Sequence, residues 1–436
     1  MKPKGLLVAV AVLAILGCLV WWSNKKQAAA GKASTDTTTK ILAIPDDQFQ
    51  EIKVKKLTGE VQDLHRVNGK WQLTQPVQLS ADADTVGTMV SSLSSLSADK
   101  IIEDKAADLQ PYGLQMPTLD ITVVKKDGKS SQVLIGDDTP TGSGAYAKLA
   151  ADARVFTVTS FVKSSLDKTP TDLRDKRLLT FDSDKLTRVE LQAKGQPVEF
   201  GKNNQNEWQI LKPRPLRADG SQVETLITKL KDAKMDLAGA QLDIARSFAA
   251  AAKVATAVVT DANGNQTIEV RRDKDKNCYA KSSAVEGTYK VASDLGDAFD
   301  KNVDDFRNKK LFDFGFSDPG KVELKTVTYT KSGDKWLAGS KTMDNTSVQN
   351  LIDKLRDLSA VKFPEKGGGE PVFEAKVTSN DGKRVEKVSI TKQGTQYFAQ
   401  RENEPSIYEL DSKAVDDLQK AASGVKEPAP PAPKKK

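Results

Sequence analysis

Apolar and polar positions follow three different patterns along the 436 residues. From Gly5 to Trp22 the chain reads GLLVAVAVLAILGCLVWW, uncharged and mostly apolar, a run long enough for a bilayer-spanning helix. Further on, apolar residues recur at i, i+3, i+4 and i+7 in three places. These are Val86, Met89, Val90, Leu93 and Leu96; then Val223, Leu226, Ile227 and Leu230; then Val348, Leu351, Ile352, Leu355 and Leu358. That spacing predicts three helices, each laid with one face on a sheet. Around them, short alternating runs broken by polar turns predict antiparallel hairpins.

The elements repeat. Trp71 in HRVNGKWQL, Trp208 in GKNNQNEWQI and Trp336 in YTKSGDKWLA each sit after polar turn residues, as in the second strand of a hairpin. Pro76 with Ala81-Asp82, and Pro213 with Ala218-Asp219, follow the first two tryptophans at equal offsets and lead into the helical stripes. Turns at Asp127-Gly128, Asn263-Gly264 and Asp381-Gly382 predict a second hairpin in each unit. Tyr146, Tyr279 and Tyr397, then Phe156, Tyr289 and Tyr408, mark two further strands. A basic motif closes the first two units, Leu173 to Phe181 matching Phe306 to Phe314. The third has neither that motif nor a proline five residues past Trp336, and is predicted to be a truncated or capping copy.

The expected organisation is therefore a membrane anchor over 1–26, a flexible tether over 27–40, repeat units over 41–181, 182–315 and 316–423, and a Pro/Lys tail over 424–436. The expected fold class is α+β, with three tandem antiparallel sheets, each carrying one or more amphipathic helices, behind a single transmembrane helix. Lys2 and Lys4 precede the apolar run, while Trp21, Trp22, Lys25 and Lys26 end it as an interfacial belt ends a retained span. The expectation is a signal anchor in the inner membrane, with the body in the periplasm or otherwise outside the cytoplasm. The alternative is a lipoprotein cut and acylated at Cys18, since Ile15-Leu16-Gly17-Cys18 has a small residue directly before the cysteine.

Charge and chemistry narrow the function classes. The formal charge of +7 lies at the ends: residues 1–40 contribute +5 and residues 426–436 contribute +3, leaving the body near neutrality. Such a body has no basic footprint for nucleic acid, so no nucleic-acid partner is expected. Cys278 is the body's one cysteine and His65 the chain's one histidine, so a histidine-based metal site or a Ser-His-acid triad has at most one candidate member. His65, in an alternating run, reads as a strand-surface residue. Asp82 and Asp219 read as helix caps, Asp219 forming a capping-box pattern with Gln222. Gly142-Ser143-Gly144 and Gly367-Gly368-Gly369 read as turns because neither carries the rest of a phosphate-loop fingerprint. The motifs at Arg174 and Arg307 have two readings: a structural role, pairing with acids such as Asp172 and Asp305, or a docking surface.

Gly69-Lys70-Trp71, Pro76, the Val86 to Leu96 stripe, Tyr112-Gly113-Leu114, Ile135 to Pro140 and Asp172 to Lys176 together resemble the bacterial family catalogued as domain of unknown function 4340. The resemblance implies an envelope protein with one N-terminal span, often encoded beside membrane components of ABC-type transport or gliding-motility-like systems. It brings no catalytic residues. The expectation is a non-enzymatic interaction or scaffold protein, without cofactor, metal or catalytic site. It would be held by the bacterial inner membrane through Gly5 to Trp22 and would meet an envelope partner such as a transporter component. A glycan- or lipid-binding module and a carboxylate-based hydrolase are the alternatives.

Overall fold

The computed structural model describes residues 39–317 and 319–429. The Gly5 to Trp22 run, Cys18, most of the tether and the end of the tail lie outside the described residues. Among those described, no helix is long and apolar enough to cross a membrane. The fold is mainly β-sheet with several helices, divided into one compact unit ending at Lys176 and another beginning at Arg177.

The first unit holds a nine-stranded antiparallel sheet. In chain order its strands are β1 (Phe49–Lys56), β2 (Val61–Val67), β3 (Lys70–Gln75), β4 (Leu79–Ser80), β5 (Lys100–Glu103), β6 (Leu119–Lys125), β7 (Ser130–Asp138), β8 (Gly144–Leu149) and β9 (Val155–Thr159). In space they run β4-β3-β2-β1-β6-β7-β8-β9-β5. Two helices cover it, α1 (Ala83–Ser94) and α2 (Ser160–Leu166). Val86, Met89, Val90 and Leu93 on α1 are buried against Ile52, Leu64, Leu73 and Ile121 of the sheet. Each such side chain contributes about 1.5–3 kcal/mol on burial, so this stripe holds the helix down.

The second unit holds two more sheets, of eight and nine strands, in which the first order recurs. Trp71 lies on β3, Trp208 on Trp208–Lys212 and Trp336 on Lys335–Ala338, each strand second from its sheet edge. The helices here are α3 (Gly220–Lys231), α4 (Gln241–Ala250), α5 (Ser293–Phe299), α6 (Asn345–Asp357) and α7 (Ser412–Ser423). The eight-stranded sheet lacks the counterpart of β5. Its place is reduced to a single bridge between Asp236 and Lys290, followed by α4, which packs Ile244 and Phe248 on Tyr279.

The expected boundaries after 181 and 315 lie too late. Leu178, Leu179 and Phe181 are in the core of the eight-stranded sheet, and Leu311, Phe312 and Phe314 are in the core of the last one. The reason is a recurring lead-in. Ile41, Leu178 and Leu311 donate their backbone N–H to Leu96, Ala233 and Leu358, just past each main helix. These bonds set the following apolar side chains into the core behind them.

Helix starts are also fixed alike. Asp82 caps α1 and Asp219 caps α3, the latter accepting from the N–H groups of Ser221 and Gln222. The Gln222 side chain does not complete a capping box; its Oε1 accepts from Lys301 Nζ at 2.8 Å. Asp82 N–H donates to the Leu173 carbonyl (2.8 Å) and Asp219 N–H to the Phe306 carbonyl (2.7 Å), which is what the closing motif does. The last sheet keeps nine strands, so its shortness lies in connections. Its missing closing motif is replaced by Lys426, whose carbonyl accepts from Asp344 N–H at 2.8 Å.

Within the second unit, an ion network joins the two sheets. Arg217, only 13% exposed, pairs with Asp313, donates to the Lys310 carbonyl (2.9 Å) and lies 3.6 Å from Glu404. Arg401 bonds Glu386 (3.0 Å) and Glu404 (2.8 Å), while Arg384 bonds Glu207 at 2.5 Å. Burial works against the charge on Arg217, but Asp313, Tyr408 and Glu404 outweigh it and raise its pKa. Burial pushes the Tyr408 phenol up to about 12. Arg307 is structural here: its guanidinium stacks 3.6 Å from the centre of the Phe363 ring and pairs with Asp304 at 3.1 Å. The expected partner, Asp305, instead accepts from Asn302 N–H in a capping box, and Asp172 does the same for Thr169.

A candidate binding groove beside Trp71

Because one plan occurs three times, each copy is a control for the others. The residue after the first buried valine of the main helix is Gly87 on α1, Glu224 on α3 and Gln349 on α6. Glu224 reaches the neighbouring strand, where its Oε1 accepts from Trp208 Nε1 at 2.6 Å. Trp208 is thereby only 6% exposed, and Trp336 only 4%. At Gly87 nothing takes that place. A Cβ built there meets no atom within 4 Å, Trp71 is only half-buried, and its indole N–H has no protein acceptor among the described residues.

The helix–helix cleft is altered in the same direction. Lys229 on α3 bonds Asp294 on α5 at 2.6 Å, and Lys354 on α6 lies 3.5 Å from Asp417 on α7. In the first unit the counterpart of both lysines is Ser92. Its hydroxyl accepts from Ser165 Oγ at 2.8 Å, and Ser165 stands where Asp417 stands in the last sheet. Phe161, the counterpart of Asp294, is 64% exposed. At and just past the end of α1 stand Ser91, Ser94 and Ser95, where the second unit carries Thr228, Lys231 and Asp232 at the end of one main helix and Asp353, Arg356 and Asp357 at the end of the other.

What results is an open groove of about 980 Å³ along α1, floored by small residues and flanked by Trp71 and Phe161. Arg66 is held over the Trp71 ring, 5.9 Å from its centre. Asp46, Asp84 and Asp99 also line the groove, so its charge is net negative. A groove that joins two aromatic rings to hydroxyls and carboxylates, over a floor that lets backbone approach closely, suits a ligand segment with apolar side chains and a basic flank.

The profile of the family described as a domain of unknown function (DUF4340) matches residues 71–236 and again 208–372. The chain belongs to the DUF4340 family. The two DUF4340 matches begin at Trp71 and Trp208, equivalent residues of successive copies, so the family's unit spans one copy and enters the next. No curated protein and no solved structure matches the chain.

None of the groove was expected from sequence. Trp71 was expected as hairpin packing, as it is in the other copies, and Gly87 and Phe161 belong to no motif. The signal lay in the solvent-facing helix positions, legible only when the copies are set side by side. The other residues singled out fall elsewhere. His65 lies on β2, Cys278 is buried behind α5, and the backbone of Arg174 bridges Ala81 as that of Arg307 bridges Ala218.

Proposed function

We propose that this DUF4340 protein is a non-enzymatic interaction or scaffold subunit, anchored in the inner membrane with its body outside the cytoplasm. It would serve an ABC-type transport or gliding-motility-like envelope system. The observation that carries this reading is the groove beside Trp71. One copy of a repeated plan has lost the side chain that covers its tryptophan and the ion pair that spans its helix cleft. The apolar run from Gly5 to Trp22 supports the anchor, and the net negative groove supports a partner segment with apolar side chains and flanking Lys or Arg. The half-buried Trp71 and exposed Phe161 favour one second reading, a glycan stacked on the aromatic rings.

Gly87→Glu tests both, because a carboxylate there reaches the Trp71 indole as Glu224 reaches Trp208. After crosslinking in intact cells and gentle solubilisation, the wild-type chain is expected to bring down a discrete envelope protein and Gly87→Glu to lose it. Recovery of the same partner with both proteins excludes the groove. Recovery of no protein, with binding of a defined envelope oligosaccharide by the wild-type chain alone, favours the glycan.

A further inference from the structure

The outer face of the first sheet, opposite α1, carries a second departure from the repeated plan. On β1 and β2, Glu51 pairs directly with His65, and Lys53 with Asp63. Side chains alternate along a strand, so these four share one face while Ile52 and Leu64 point into the core. Donor atoms of Glu51, Asp63 and His65 all lie within 4.8 Å of one another. Asp63 is 7% exposed. Its Oδ1 accepts no hydrogen bond, although His65 Nε2 is only 3.1 Å away. A buried carboxylate oxygen facing an imidazole nitrogen is costly unless an aligned proton or a metal cation lies between them.

The eight-stranded sheet shows how the same position is otherwise neutralised. Val189 pairs with Phe200 there as Ile52 pairs with Leu64 here, which places Glu199 at the position of Asp63. Glu199 is equally buried, at 8% exposed. It is held by two cations, Arg188 at 2.7 Å and Lys212 at 2.8 Å, and the bond from Lys212 with the charge of Arg188 lowers its pKa despite burial. In the first sheet the counterpart of Arg188 is Glu51 and that of Lys212 is Gln75. Both cations are gone, Glu51 and the chain's one imidazole stand where Arg188 and Gly201 stand, and Lys53 takes the place of Glu190. Lys53 faces Asp63 in the register but is exposed and makes no ion pair among the described residues.

We propose that Glu51, Asp63 and His65 bind a divalent first-row transition cation, with zinc the ion that the donor set fits best. The imidazole nitrogen is a borderline donor, and its place beside two carboxylates favours a first-row transition ion over magnesium and calcium, whose sites are built from oxygen alone. Ligands about 2.1 Å from a tetrahedral zinc lie about 3.4 Å from each other. The 3.1 Å between His65 Nε2 and Asp63 Oδ1 is close to that span. Glu51, on the neighbouring strand, closes the third position by a side-chain rotation, and water takes the fourth.

Zinc titration of the full-length chain in detergent, purified without a histidine tag and labelled with ¹⁵N-histidine, tests this. His65 is the one histidine, so the ring signals report this site alone. The expected result is one zinc per chain, a saturable shift of the His65 ring resonances, and a rise in melting temperature with zinc. His65→Ala should abolish the binding, Glu51→Gln should weaken it at least tenfold, and Lys53→Met should strengthen it. Zinc binding unchanged in His65→Ala, or ring resonances that stay fixed up to millimolar zinc, overturns the proposal. Glu51→Gln, an exposed-face isostere, keeps the test valid if His65→Ala fails to fold.

Discussion

Gly87 is the position at which the groove is most directly perturbed. Glycine inside an exposed helix costs about 0.8–1 kcal/mol relative to alanine, because it loses more backbone freedom on folding. Structure gives no reason for it here. Gly87 has no positive φ, and an added Cβ meets no atom within 4 Å. Gly87→Ala is therefore expected to stabilise the first unit by about 0.8–1 kcal/mol, a rise of roughly 3–5 °C in the melting temperature of a domain this size. Gly87→Glu gains about 0.5 kcal/mol from propensity and about 1 kcal/mol more from a charge-assisted bond to the Trp71 indole. Calorimetry of the full chain, with hydrogen exchange on peptides spanning Ala83–Ser94, resolves the first unit from the second. Loss of stability in both variants would refute the reasoning, since it would mean that Gly87 is required by packing and that the space beside Trp71 is not open. Stabilisation by alanine together with loss of the partner by glutamate is the combination that a functional glycine predicts.

Three further outcomes follow from the second unit. Arg217→Ala leaves Asp313 without its main cation and is expected to cost about 3–5 kcal/mol in urea unfolding, whereas the Arg217→Ala, Asp313→Ala double variant should lose less than the sum of its parts. Asp219→Ala frees the Ser221 and Gln222 N–H groups and should cost about 1 kcal/mol, measured in the same way. The Tyr408 phenol, raised to about 12, keeps its proton in the folded chain after an unfolded tyrosine, near pH 10, has lost its own. Its contribution is therefore complete below about pH 10 and is lost as pH climbs toward 12. Tyr408→Phe should flatten that alkaline decline and remove the latest phenol ionisation from the absorbance titration at about pH 12.

Periodicity carried the inward-facing half of this protein. The three apolar stripes became α1, α3 and α6, and the tryptophans came to rest on equivalent strands, because burial of one face imposes a spacing that sequence displays directly. Unit boundaries were harder to place. The basic motif around Arg177 and Lys310 looks like an ending, yet the apolar residues after it pack forward into the next core, and only the backbone bonds to Ala233 and Leu358 decide that. The closure of the last sheet by Lys426 leaves no side-chain signature, since the group that accepts is a carbonyl. Polar partners were ambiguous for a similar reason. Asp304 and Asp305 are adjacent, and a rotation along the turn determines which meets Arg307 and which caps. Least visible were the outward-facing positions. Gly87, Ser92 and Phe161 on the helix side, and Glu51 and Gln75 on the opposite sheet face, acquire meaning only against Glu224, Lys229, Asp294, Arg188 and Lys212, their counterparts one copy later.

The central claim is that the first copy, and not the other two, presents a partner-binding groove along its main helix. A photoreactive amino acid placed in turn at Ser91, Thr228 and Asp353, the same solvent-facing position on α1, α3 and α6, measures this in living cells. A discrete protein adduct from position 91, absent from 228 and 353, is the predicted result. Equal adducts from all three positions, or none from position 91 while 228 or 353 reacts, would contradict the account.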